Sequence, residues 1–186
     1  GMLAFGTNHP ELLQKAIAGM NIDGAGDPGV SEDPFYLHFG PLSQPTFAWQ
    51  MAAIIGAEIQ KNAGDHWHLG NKLFVPTADD MIGDPHAGVG TIWLGKGKSS
   101  LGYHSDADTP AVCCPFSLRY NTLLATAWAY LLANLDETLV KEILPFSTSW
   151  TETFLMKEAE NDVQSLRKWV AGKTIASLSR WGIKGK

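Results

Sequence analysis

The stretch "LGYHSDADTP", residues 101–110, sets one tyrosine, one histidine and two aspartates within ten positions. An imidazole among carboxylates can hold a divalent metal or move a proton near neutral pH. A further carboxylate, Asp23, closes the apolar run "GMNID" and is followed at once by "GAGDPG". That places it at the carboxyl end of a strand, where the ligands of open α/β sheets bind. In "DHWH", His66 and His68 would share one face if the chain were extended, and His-x-His is a metal-binding spacing. Each residue also has a plainer reading. An aspartate after a strand commonly caps a turn, a loop histidine is commonly solvated, His9 reads as the start of a helix, and His38 and His86 read as structural or surface residues. Cys113 and Cys114 are adjacent, which forms no ordinary structural disulfide, and there is no CxxC pair to hold zinc.

The elements that must position these groups follow from periodicity and punctuation. Pro10 opens a short helix that passes into a strand over residues 18–22, with Asp23 on its lip. "FYLHF", residues 35–39, is a second strand by its aromatic content. A helix over residues 44–63 carries Phe47, Met51, Ile55 and Ile59 at helical spacing and ends at Gly64. "KLFVP" is a third strand, "TADDMIGDP" a loop or single helical turn, and "GVGTIWLG", residues 88–95, a fourth strand, apolar nearly throughout. Strands alternating with helices predict an α/β fold, a mixed and mostly parallel sheet with flanking helices, over residues 1–134. An almost wholly apolar helix over residues 116–134 is expected to be buried on several sides. A helical extension, residues 135–186, should pack on this unit. There Asp136 caps a short helix ending before Pro145, and Ser149 with Glu152 makes a capping box for a longer helix reaching Gly172.

Composition bounds the function. The chain has 186 residues, 45% of them apolar, enough for one real core. Its formal charge of -5 gathers into no long run of either sign, so the electrostatic footprint of a nucleic-acid binder is missing and a small or peptide partner is expected. The longest apolar stretch, residues 123–135, is broken by Thr126 and Asn134 and reads as a buried helix rather than a membrane span. Gly1 before Met2 reads as a cloning remnant. A cytoplasmic location follows if Met2 is the true start, and an exported one if a signal lies further upstream. No G-x-S-x-G elbow occurs, and "LGKGKSS" lacks the spacing of a phosphate-binding loop.

"MNIDGAGD" followed at this distance by "YHSDADTP" resembles the co-catalytic zinc exopeptidases typified by bacterial leucyl aminopeptidase and glutamate carboxypeptidase. In that family an Asn-x-Asp strand end gives a carboxylate to one zinc, and a Tyr-His-Ser/Thr-x-x-Asp-Thr loop gives a histidine to the other. The segment "TADDMIGDPHAGVGTIWLG" is similar to the family's Ser-Asp-His loop and the apolar strand after it, with Thr77, Ala78 and Asp79 in place of Ser-Asp-His. The likeness covers about residues 15–134.

The resemblance implies Asp23 and His104 as zinc ligands, Tyr103 as a wall of the substrate pocket, and Asp79, Asp106 and Asp108 as loop or outer-shell groups. The implied activity is aminopeptidase-like: hydrolysis of a terminal peptide bond of a peptide substrate by zinc-activated water. The family's remaining ligands and its glutamate base precede the Asn-x-Asp strand, and no counterpart lies upstream of Asp23 here. Two ligands fall short of the three or more that a catalytic zinc requires. The chain is therefore expected either to be completed by an upstream segment or to be a non-catalytic scaffold that binds another protein or a second copy of itself, as a homo-oligomer.

Overall fold

The computed structural model describes residues 1–29, 32–40, 45–73, 81–84, 87–96, 102–158, 172 and 174. Two short helices, α1 (Met2–Asn8) and α2 (Pro10–Lys15), lead into β1 (Gly19–Ile22). Then come β2 (Phe35–Phe39), α3 (Phe47–Ala63), β3 (Leu69–Leu73), β4 (Thr91–Lys96), α4 (Pro115–Ala133) and α5 (Glu137–Glu158). The α/β reading holds in its coarse form: four strands make one mixed sheet in the order β1-β4-β2-β3, flanked by helices. β1 runs parallel to β4 and β3 parallel to β2, while β2 and β4 are antiparallel at the centre.

Several boundaries differ from expectation. The third strand starts at Leu69, three residues before "KLFVP", and the fourth starts at Thr91 rather than residue 88. The helix expected from residue 44 begins at Phe47, because Thr46 accepts the Ala48 N–H through Oγ1 and so ends the extended backbone before it. Of "TADDMIGDP", Met81–Gly83 forms a 3-10 turn, and residues 77–79 lie outside the described residues.

The core forms where α3 crosses the sheet. Phe35, Leu37 and Phe39 of β2 and Ile92 and Leu94 of β4 are buried with Phe47, Met51 and Ala52 of α3. Phe39 stacks on Trp49 at 5.5 Å and meets Trp150 and Phe154 of α5 edge-on, at 5.3 and 5.6 Å. The helical extension thus contributes side chains to the same core. A buried polar lock joins the two helices as well: Gln50 Nε2 donates to Thr151 Oγ1 at 2.7 Å, and Ser147 Oγ donates to Gln50 Oε1.

Pro145 does not end a helix. α5 runs through it as a single helix. Val140, Ile143, Ser147, Trp150 and Phe154 lie toward the core at heptad spacing on both sides of the proline, which itself is exposed. Packing on that stripe outweighs the local loss of one N–H donor. Asp136 caps the start as expected, its Oδ1 accepting the Leu139 N–H at 2.7 Å. Ser149 caps nothing, since it lies mid-helix and its carbonyl accepts the Thr153 hydroxyl.

α4 is buried along one stripe, not on several sides. Ser117, Asn121, Leu124, Trp128 and Leu132 face inward. Phe116, Leu123 and Tyr130 remain 46%, 48% and 65% exposed.

His38 is a core residue of β2, stacked at 4.2 Å on its cross-strand neighbour Trp93. Burial, aided by the Lys72 charge, lowers its pKa from 6.5 to about 4. The fold therefore holds the imidazole neutral, and the unfolded chain takes up the proton first as pH falls. This contribution is fully present above pH 6.5 and is lost progressively down to about pH 4. Urea titrations from pH 7 to 4 should show the wild type losing on the order of 3 kcal/mol more than His38→Phe, which keeps the stacking but cannot titrate. Equal pH slopes in the two proteins would contradict this.

Candidate functional site

The parallel pairing of β1 with β4 decides the geometry of the site. Gly19–Ile22 lies in register with Thr91–Leu94, and the Asp23 N–H continues the ladder to the Leu94 carbonyl at 3.0 Å. Asp23 and the segment following β4 therefore leave the sheet at the same end. Asp23 is exposed on that lip.

The loop after Asp23 is held by α4. Asn121, buried, donates through Nδ2 to the Ala25 carbonyl at 2.9 Å and accepts the indole N–H of buried Trp67 at 2.9 Å. Cys114 N–H donates to the Gly26 carbonyl at 2.7 Å, and Gly29 N–H to Ser117 Oγ at 3.3 Å. Lys96 Nζ, from the end of β4, donates to the Pro28 carbonyl at 2.8 Å and pairs with Asp33 at 2.5 Å. Gly26 packs closely on the chain before α4, since a Cβ there would lie 2.9 Å from Cys113 Sγ. Residues 24–29 thus have main-chain tethers to β4 and to the start of α4, which leave the Asp23 and Asp27 side chains pointing from a fixed loop.

Residues 102–108 form a self-closed turn. Ser105 N–H and Ser105 Oγ both donate to the Gly102 carbonyl, at 3.0 and 2.8 Å, and Ala107 N–H donates to Ser105 Oγ at 3.2 Å. Gly102 lies so close to this turn that a Cβ would sit 2.9 Å from Asp108 N. Ser105, rather than Asp106 or Asp108, is the side chain that organises the loop. His104 stands at φ 57, the one non-glycine residue with positive φ among the described residues, and its ring stacks on Tyr103 at 3.8 Å. Tyr103, His104, Asp106 and Asp108 are all exposed.

The two segments adjoin electrostatically. Burial holds the Asp27 carboxyl above its ordinary value of 3.8. Lys96 opposes this, and the negative charges of Asp108, Asp23 and Asp33 add to the rise. Asp27 thus feels a carboxylate from each segment, Asp23 after β1 and Asp108 after β4. Beside them Cys114 stands at the start of α4. Burial raises its thiol pKa, but the Ser117 N–H and hydroxyl and the Phe116 N–H outweigh that and hold it below the usual value.

Other candidates fall elsewhere. His66 lies in a 3-10 turn, Gly64–His66, and stacks on Phe116 at 4.6 Å, so His66 and His68 do not share an extended strand. His9 lies between α1 and α2, within 3.7 Å of Glu11. Asp79 and His86 lie outside the described residues. Among the described residues no three His, Cys, Asp or Glu side chains converge as a metal-binding group. No helix among them is long and apolar enough to cross a membrane. Comparison with family models, with curated proteins and with solved structures found no match.

Two substitutions probe this architecture. Asn121→Leu leaves the Trp67 N–H and the Ala25 carbonyl without their partner and should cost about 2–4 kcal/mol in chemical denaturation. Asn134→Ala, at the exposed end of α4, should cost less than about 1 kcal/mol; equal losses would contradict the bridge. Asp27→Asn tests the charge cluster. An acid whose folded pKa is raised contributes stability that is present below its unfolded value, near 3.8, and lost as pH rises through the folded value. Asp27→Asn should therefore be more stable than wild type at pH 7, with the difference closing toward pH 4. A less stable variant at pH 7 would show that the ionised carboxylate is favourable.

Proposed function

We propose that the protein is a zinc-dependent exopeptidase component, aminopeptidase-like, acting on the terminal bond of a peptide. The observation that supports this reading is that β1 and β4 run parallel, so Asp23 and the segment following β4 leave the sheet at one end, and that Asp27 is influenced by both Asp23 and Asp108. His104 adds support, because a left-handed backbone at a non-glycine residue costs about 1–2 kcal/mol and is retained most readily where the side chain must be aimed.

Carboxylate oxygen and imidazole nitrogen are both donors that zinc accepts. In this proposal Asp23 and His104 each hold one ion, Asp106 and Asp108 lie beside the histidine as outer carboxylates on a loop that Ser105 closes, and Tyr103 walls the peptide pocket. Zinc bound there would polarise the scissile carbonyl and activate water. The remaining ligands and the general base come from a further segment, in the same gene or a partner chain.

A second reading is a non-catalytic scaffold that self-associates. It is favoured by the outer face of α4, where Phe116, Leu123 and Tyr130 are exposed and Arg119 is the only charged residue from Pro115 to Ala133. A face this apolar commonly marks a contact surface.

One set of samples separates the two. If the first holds, the purified chain takes up zinc in calorimetric titration, and Asp23→Ala and His104→Ala each weaken uptake at least about tenfold, while His9→Ala does not. A metal-free oligomer on gel filtration, indifferent to both substitutions, would favour the scaffold.

A further inference from the structure

We propose that the outer edge of β3 is a binding site for an extended peptide segment, with the pocket beside Asn71 receiving one of its side chains. The site stands apart from the zinc proposal and does not depend on it, because β4 and β2 separate β3 from β1 in the sheet.

The parallel register sets which groups face outward. Phe35 N–H donates to the His68 carbonyl at 2.9 Å, and Phe35 pairs with Leu69. A parallel ladder then spends the amides of alternate residues, His68, Gly70 and Lys72, on β2. Leu69 and Asn71 turn their main-chain groups to the outer edge, which pairs with no strand among the described residues. Leu69 confirms the phase, since its N–H is taken from the edge side by Gln60 Oε1 of α3 at 2.8 Å. Asn71 has no such cover among the described residues. Its N–H and C=O are the pair that an added strand would use.

Next to this edge lies a pocket of about 350 Å³ lined by Ala53, Ala57, Gln60, Lys61, Leu69 and Asn71. The small alanines of α3 leave room for a side chain of middle size. Asn71 Oδ1 is buried and has no hydrogen-bond partner among the described residues. A buried acceptor without a donor is costly, so this pocket favours a guest that supplies one. In an antiparallel addition, the residue opposite Asn71 exchanges both main-chain hydrogen bonds with it and projects its side chain to the same face of the sheet. A glutamine there places its amide N–H toward Asn71 Oδ1. The ligand class is therefore an extended peptide with an amide-bearing residue at the position facing Asn71.

The test uses the full chain, labelled with nitrogen-15, and the capped pentapeptide acetyl-Val-Thr-Gln-Thr-Val-amide. Saturable shifts are expected at the Asn71 main-chain and side-chain amides, and they should vanish when the glutamine main-chain nitrogen is methylated. Replacing the central glutamine by leucine should weaken binding up to about tenfold. In Asn71→Ala, which keeps the edge but lacks Oδ1, the glutamine and leucine peptides should bind alike. The proposal is overturned if Asn71 shows no saturable shift, if methylation changes nothing, or if the glutamine preference survives in Asn71→Ala. It is also overturned if the Asn71 amide proves to be covered in a concentration-dependent dimer without peptide, since the edge would then belong to a second copy.

Discussion

The buried side chain of Asn121 joins three parts of the chain that lie far apart in sequence. Its amide takes the Trp67 indole N–H on one side and gives its own N–H to the Ala25 carbonyl on the other. Trp67 is fully buried just before β3, and Ala25 lies in the loop after β1, so one polar group of α4 ties the rim of the sheet to the candidate site. A neutral buried amide is stabilising only when its partners are in place, and it is expensive when they are not. That asymmetry makes the position of α4 and the course of residues 24–29 mutually dependent. Ser117, Cys114 and Lys96 reinforce the same arrangement through main-chain hydrogen bonds.

The aromatic core behind the sheet serves the same end. Phe39 is gripped by Trp49 from α3 and by Trp150 and Phe154 from α5, while Trp128 of α4 donates to the Ala48 carbonyl at 2.9 Å. α3 is thereby fixed between the two later helices, and β2 and β4 beneath it cannot slip without unpacking rings from all three. A central antiparallel pair with a parallel partner on either side then sends β1 and β4 out at the same end. That topology delivers Asp23 and the segment that follows β4 to the same end of the sheet, which no local feature of either segment would do.

Much of this was legible in the residues. "FYLHF" and "TIWLG" are apolar runs of strand length and form the two central strands, and the placement of Asp23 followed from the glycine-rich loop beyond it. The histidines in "DHWH" do not share an extended face because Trp67, between them, is drawn into the core and the chain before it turns. Pro145 misled because a heptad stripe on either side holds the helix together across it. α4 carries enough apolar residues to suggest burial on several sides, yet its buried residues among those described form one stripe, and the polar residues in that stripe, Ser117 and Asn121, are the ones that hold the site loop. A polar residue on the inward face of an apolar helix was the available signal. Which carbonyl it would reach depends on the fold and cannot be read from spacing. The same applies to Ser105, whose hydroxyl closes the histidine loop in place of the two aspartates.

The proposed zinc site requires Asp23 and His104 to flank one metal-sized gap. This requirement is tested most directly by an anomalous difference map at the zinc edge from crystals soaked in zinc. The account predicts density between the Asp23 carboxylate and the His104 imidazole, with Tyr103 along its border. Zinc bound elsewhere, or those two side chains directed to different faces of the molecule, would contradict it.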